Sequence, residues 1–119
     1  MRGRPKATIK TVDVKSDMPS VDQALQRLER EIVCAQRGRS RLLKVIHGYG
    51  SSGVGGEIRI AVQKRLRELA ERGGIRGSIF GEDWSRSNEV SWRLLQEHPE
   101  LKEDPHLGRR NLGITIVML

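Results

Sequence analysis

The chain has 119 residues, enough for one domain around one hydrophobic core. Only 36% of the residues are hydrophobic and 31% are charged, with a mean hydropathy of -0.52. No apolar run approaches the roughly 20 residues of a membrane-spanning helix. No charged-then-apolar leader is recognisable either, so we expect a cytoplasmic protein without a membrane partner. The one cysteine, Cys34, excludes an intramolecular disulfide.

Positive charge is concentrated in the first two thirds of the chain. Lys and Arg number 22 against 15 Asp and Glu, and the pI is near 10.3. Residues 1–76 hold 17 basic and 8 acidic side chains, whereas residues 77–119 hold 5 and 7. Such a regional excess on a small domain favours a polyanion partner, usually nucleic acid. Because the chain has only four aromatic residues, we expect contacts to phosphates rather than base stacking.

The amino-terminal part predicts a basic arm, a strand and a helix. Residues 1–8 have no apolar periodicity, so we expect a flexible arm that precedes a domain spanning 9–119. Its Arg2-Gly3-Arg4-Pro5-Lys6 segment resembles the core of an AT-hook, which lies in a narrow minor groove. Residues 9–14 alternate as a strand does. A capping box at Ser20 and Gln23 then predicts a helix that ends at Gly38.

The middle of the chain predicts two further strands around a second helix. Residues 42–46 form a nearly continuous apolar run, which indicates a strand buried on both faces. The second helix follows Gly56, carries apolar residues at helical spacing, and stops at a pair of glycines, 73–74. Residues 75–80 predict the third strand.

The last third predicts an acidic excursion and a final strand. Residues 82–104 hold seven acidic and three basic side chains, and a short helix in this stretch should end before Pro99. The acidic stretch is a candidate site for a protein partner. Residues 113–119 predict the fourth strand. The alternation of strands and helices predicts an α/β fold, a two-layer sandwich of a mixed four-stranded sheet and two main helices.

The candidate functional site is the glycine-rich loop between the second strand and the second helix. Five glycines fall in residues 48–56, directly after His47. Glycine backbone N–H groups and a helix N-terminus together favour a phosphate. The loop also matches a dinucleotide fingerprint, but the acid expected at the next strand end is missing. We expect the glycine-rich loop and the basic second helix to contact the phosphate backbone. The predicted contacts are His47, Gly48, Tyr49, Gly50, Ser51, Ser52, Gly53 and Arg59, with Arg2 and Arg4 from the arm.

Three segments of the chain resemble the Smr (small MutS-related) domain family. Residues 46–50, Ile-His-Gly-Tyr-Gly, are similar to the family's His-Gly-x-Gly-x-Gly loop, with the third glycine displaced. Residues 113–119 are similar to its terminal Gly-x-Thr-x-Val-x-Leu strand. Residues 12–16, Val-Asp-Val-Lys-Ser, correspond to the family's Leu-Asp-Leu-His-Gly. Lys15 therefore stands where the family has a histidine, and this correspondence makes it a further predicted phosphate contact.

The resemblance implies a two-layer α/β fold similar to the C-terminal domain of translation initiation factor three. It also implies DNA or RNA binding and, in several members, nicking of the nucleic acid. The alternative function is therefore a metal-assisted endonuclease, with His47 as acid or base, Asp13 as a metal or water ligand, and Mg²⁺ or Mn²⁺ as the ion. Glu82 and Asp83 are further candidate ligands. Lys15 is a poor base near neutral pH, which disfavours cleavage relative to binding.

Overall fold

A computed structural model describes residues 9–38, 40–49 and 54–119 of this chain. The arm, 1–8, and the loop residues 50–53 lie outside the described residues. The strands and helices are β1 (Ile9–Asp13), α1 (Val21–Arg37), β2 (Leu42–Ile46), α2 (Val54–Glu71), β3 (Gly77–Phe80), α3 (Glu89–Glu97) and β4 (Ile114–Met118), with 3₁₀ turns at Gly81–Asp83 and Pro99–Glu103.

The four strands form one mixed sheet in the order β1-β2-β4-β3. β1 pairs parallel to β2, and β4 runs antiparallel to both of its neighbours, β2 and β3. The predicted α/β class, the mixed four-stranded sheet and the two main helices are confirmed. Because β1 and β2 are parallel, both strands finish at the same end of the sheet, which we call the loop end.

One face of the sheet is covered by α1 and α2. The Ser20–Gln23 capping box is present, with both reciprocal hydrogen bonds near 3 Å, and it places the apolar stripe of α1 against the sheet. Leu28 of α1 and Leu66 of α2 are fully buried in the same core. The strands contribute their alternate residues, such as Val45 and Val117, as the two-residue period of a strand requires.

The opposite face of the sheet is covered by the acidic excursion. Trp84, Leu95 and Leu101 are buried in a second core against Ile79 of β3 and Ile116 of β4. This cover confirms that β2 is buried on both faces. The excursion is therefore part of the sandwich, and its apolar side chains pack against the sheet.

Some element boundaries differ from the sequence predictions by one to three residues. α2 begins at Val54, so Gly55 and Gly56 lie within its first turn. β1 ends at Asp13 because its carboxylate turns back onto the N–H groups of Lys15 and Ser16. Across residues 9–38, 40–49 and 54–119, no helix has both the length and the apolar character needed to cross a membrane.

Candidate functional site

The loop end is built by close backbone approach around Gly48 and Gly113. The N–H groups of His47 and Gly48 both donate to the Gly113 carbonyl, over 2.9 and 3.1 Å. Gly48 has a φ of +75°, a conformation that favours glycine. Across the turn, a Cβ on Gly81 would lie 1.8 Å from the Asn111 carbonyl oxygen. The turn before β4 is therefore packed closely against Gly48 and Gly81. Its Gly113 carbonyl accepts the N–H of Gly48, the first glycine amide of the loop, which was expected to face a phosphate.

His47 is fully buried on the α1–α2 side of the sheet. Its Nδ1 lies 2.7 Å from the Gly48 carbonyl oxygen, and its Nε2 lies 2.9 Å from Thr115 Oγ1. Since a carbonyl only accepts, Nδ1 carries the proton and the Thr115 hydroxyl donates to Nε2. Burial is the largest cause that lowers the pKa of His47, and the positive charge of Arg59 lowers it further. Together these two effects outweigh the hydrogen bonds that favour the charged ring.

This placement makes His47 a buried residue at the end of β2, where the glycine-rich loop begins. Both ring nitrogens are occupied within the chain, and the neutral ring is favoured. A phosphate contact or proton transfer by His47 would first require these two hydrogen bonds to break. Its roles in binding and in catalysis stay predictions. Sequence reasoning missed the burial because a histidine that follows a strand is equally compatible with a surface position.

Asp13 and Lys15 form a turn directly after β1. Asp13 Oδ1 accepts from the N–H of Lys15 over 2.8 Å and from the N–H of Ser16 over 3.0 Å. Its other oxygen is 3.8 Å from Lys15 Nζ, and both side chains are well exposed. Such an exposed pair contributes at most about 1 kcal/mol, so a polyanion can compete for the lysine. Asp13 thus orients the turn, as aspartate does in many loops.

Lys15 lies over Gly48, at the start of the glycine-rich loop. A Cβ built on Gly48 would be 3.1 Å from Lys15 Cδ, so the lysine stem packs closely over the glycine. Tyr49 follows with 58% of its surface exposed. The structure therefore brings together three of the predicted contacts: exposed Lys15 lies over Gly48, and exposed Tyr49 follows Gly48 in the chain.

Arg59 is engaged by an acid. Its Nη2 is 2.9 Å from Glu82 Oε2, which joins α2 to the turn after β3. Arg59 Nε and Glu82 Oε1 are buried without a hydrogen-bond partner, as is Nε2 of Gln63, one helical turn further along α2. The predicted contact between Arg59 and phosphate thus competes with an ion pair that was not foreseen.

The acids considered as metal ligands lie apart. Asp13 ends β1 and Glu82 follows β3, at opposite edges of the sheet, and three strand spacings separate these edges by about 14 Å. Across the described part of the chain, no three His, Cys, Asp or Glu side chains are grouped closely enough to hold a metal ion. A loop end that binds Mg²⁺ or Mn²⁺ stays a prediction.

A buried polar network under the excursion was not predicted. Lys44, in the middle of β2, is only 4% exposed, and its Nζ is 2.5 Å from Asp104 Oδ1 and 2.9 Å from His106 Nδ1. Trp84 Nε1 donates to Asp104 Oδ2 over 3.0 Å. Burial alone would raise the pKa of Asp104, but the hydrogen bonds from Lys44 and Trp84 hold it below its ordinary value. The sequence feature that could have indicated this network is Lys44 itself, a lysine within the apolar run of β2.

These observations define an α/β domain with an accessible lysine and tyrosine beside a glycine-rich loop. Comparison with protein-family models, with curated proteins and with solved structures finds no match for this chain. Four predicted loop contacts, Gly50, Ser51, Ser52 and Gly53, lie outside the described residues, as do Arg2 and Arg4 of the arm.

Proposed function

We propose that this domain binds nucleic acid through the sugar–phosphate backbone, at the loop end. The observation that carries the proposal is the placement of Lys15 over Gly48, next to exposed Tyr49. A lysine held at the start of a glycine-rich loop presents a point charge to a phosphate. The loop then leads directly to the N-terminus of α2, where backbone N–H groups and the helix dipole favour an anion.

The overall charge of the protein supports the same partner. Its net charge of +7 attracts a polyanion over a distance set by the ionic strength. The resemblance to the Smr family, which rests on the loop and on the last strand, implies the same ligand. DNA and RNA remain open alternatives, because phosphate contacts carry little sequence or sugar information.

The test is a binding titration with labelled duplex DNA, duplex RNA and hairpins at several salt concentrations. We expect the affinity of the wild type for a duplex to fall about tenfold or more between about 50 and 200 mM salt. Lys15→Ala should weaken binding and make the slope of log K against log salt less negative by about one. Lys64→Ala, which removes an exposed lysine on the outer side of α2, is the matched control.

Two results would overturn this proposal. One is the absence of binding by the wild type at low salt, which would favour the protein-interaction alternative. The other is an identical affinity and salt slope for Lys15→Ala and Lys64→Ala, which would move the contact away from the loop end. The same mixtures with Mg²⁺ or Mn²⁺, resolved on a denaturing gel, test the endonuclease alternative.

A further inference from the structure

Among the described residues, four arginines lie at the end of the sheet opposite the loop end. Arg37 is the last residue of α1 and Arg41 directly precedes β2, whereas Arg72 directly follows α2 and Arg76 directly precedes β3. Because both helices run back from the loop end, their C-termini and the starts of β2 and β3 lie at the same end. We call the surface formed by Arg37, Arg41, Arg72 and Arg76 the arginine pole.

Backbone hydrogen bonds fix the two halves of the arginine pole relative to each other. The carbonyl of Arg41 accepts from the N–H of Leu119, and the N–H of Arg76 donates to the Met118 carbonyl. The two arginines therefore flank the end of β4, two strand spacings or about 10 Å apart. Gln36 Nε2 also donates to the Gly74 carbonyl over 2.8 Å, which ties the end of α1 to the turn after α2.

The four side chains are available to a partner. All four are exposed. Within the described residues, no ion pair or hydrogen bond engages any of their guanidinium groups. Elsewhere on the molecule, Lys10, Arg65 and Arg93 are paired with glutamates. The arginine pole thus carries four positive charges that no ion pair among the described residues engages.

Helix stability explains only part of this arrangement. A basic residue near a helix C-terminus complements the helix dipole, which accounts for Arg37 and Arg72. Arg41 and Arg76 stand at the starts of strands, where no comparable dipole exists. Planar guanidinium groups on a rigid backbone are well suited to phosphate oxygens. A duplex presents one phosphate charge for about every 1.7 Å of its axis, so several phosphates lie within the span of the four arginines.

We infer that the arginine pole is a second binding surface for the phosphate backbone of a nucleic-acid duplex, separate from the loop end. The five residues of β2 separate the two surfaces by about 16 Å, and the surfaces face opposite directions. Binding at the arginine pole does not depend on the loop end, because the arginines are at the other end of the sheet. Simultaneous binding of two duplex segments by one molecule rests in addition on the proposed function of the loop end.

The experiment compares four proteins by anisotropy titration against a short duplex, in separate DNA and RNA arms. They are the wild type, Lys15→Ala, a pole variant and a matched control. The pole variant carries Arg37→Gln, Arg41→Gln, Arg72→Gln and Arg76→Gln. The control removes the same charge from exposed positions outside the pole, with Arg86→Gln, Lys102→Gln, Arg109→Gln and Arg110→Gln.

In the pole variant, the slope of log K against log salt should become less negative by about three. In the control, it should change by less than one. A second measurement tests bridging: beads carrying an unlabelled duplex are incubated with protein and a labelled duplex. The wild type should recruit the labelled duplex, and both the pole variant and Lys15→Ala should recruit several-fold less. Circular dichroism checks that every variant is folded.

The outcomes separate the two proposals. If the pole variant and the control have equal salt slopes, the inference of a binding surface at the arginine pole is overturned. A loss of binding in Lys15→Ala alone then still supports binding at the loop end. A loss confined to the pole variant overturns the loop end and keeps the pole. Loss in both variants, without recruitment by the wild type, shows a single continuous surface and overturns the separate second site.

Discussion

The two faces of the sheet are covered in different ways. The face under α1 and α2 is an apolar core, and its one buried titratable group, among the described residues, is His47 at the loop end. The face under the excursion has an ion pair, Lys44 with Asp104, near the middle of the sheet. The first cover is held mainly by hydrophobic contact, and the second combines hydrophobic contact with a specific set of polar bonds.

The difference shows how a long irregular segment can be held in one register. Hydrophobic packing tolerates substitutions that conserve volume, so it specifies an irregular chain loosely. A buried charge leaves much less freedom, because it must find its partner or lose several kcal/mol. Asp104 has three partners, namely Lys44, Trp84 and the N–H of His106. We interpret this network as the device that fixes the excursion on the sheet.

The largest expected effect comes from Asp104→Ala, which should destabilise the protein by about 3 to 5 kcal/mol. The change leaves the Lys44 ammonium buried without its carboxylate, and it removes the acceptor of Trp84 Nε1. Urea unfolding followed by circular dichroism measures the loss. Glu103→Ala, at an exposed neighbouring position, is the control and should change stability by less than about 0.5 kcal/mol.

Adding Lys44→Met to Asp104→Ala should recover part of the loss, because the unpaired charge is then removed. A double variant at least as unstable as Asp104→Ala alone would contradict the interpretation that the buried charge is responsible.

On the helical face, Leu66→Ala should cost about 3 kcal/mol, since it opens a cavity in a fully buried core. If the two covers unfold together, tryptophan fluorescence and far-UV circular dichroism will give the same transition, as a two-state domain requires. Trp84 reports on the excursion face, where it is fully buried. Separated transitions would show that the two faces are independent units.

Thr115→Val should cost about 1 to 3 kcal/mol, because it removes the hydroxyl that donates to His47 Nε2 while keeping the side-chain shape. Thr115→Ser keeps the donor and loses only a methyl group, so it serves as the matched control. If the two variants lose equal stability, packing rather than the hydrogen bond explains the position of Thr115.

The smallest effects are two separate pH dependences of stability. The folded pKa of His47 is lowered from 6.5, so the unfolded chain binds its proton first, and stability falls as the pH drops below about 6.5 toward the folded pKa. The folded pKa of Asp104 is lowered from 3.8, so its contribution is present above that value and is lost as the pH falls through the folded pKa.

Unfolding free energies measured across this range should therefore show two losses. Asp104→Asn should remove the loss below pH 3.8 and leave the loss that begins near pH 6.5. Removal of both losses by this one substitution would show that the two faces are coupled.

Much of the architecture follows from local patterns. The capping box at Ser20 and Gln23 and the apolar stripe that follows predict α1, because helix signals are set by neighbours three or four residues apart. The apolar run at 42–46 predicts a strand buried on both faces, as observed. Boundaries at glycines were less accurate, because Gly55 and Gly56 are compatible with either a loop or a first helical turn.

The sequence indicated where in the fold the candidate site lies, but not which contacts its side chains make. The loop end follows from the order of a strand, glycines and a helix, whereas Lys15 was assigned to it through the resemblance to the Smr family. The partners of the charged side chains did not follow from the sequence. Arg59 with Glu82 and Lys44 with Asp104 are 23 and 60 residues apart along the chain. Pairing at such distances depends on which elements become neighbours in the sheet.

The sequence by itself determined the α/β class, the helical face and the basic character of this protein, because periodicity and charge are properties of local segments. Only the tertiary structure decided which polar side chains are buried and which are free. It buried His47 at the end of β2, covered the second face of the sheet with the excursion, and collected Arg37, Arg41, Arg72 and Arg76 at one end. These outcomes depend on strand order and on chain direction, which are set when distant segments pack together.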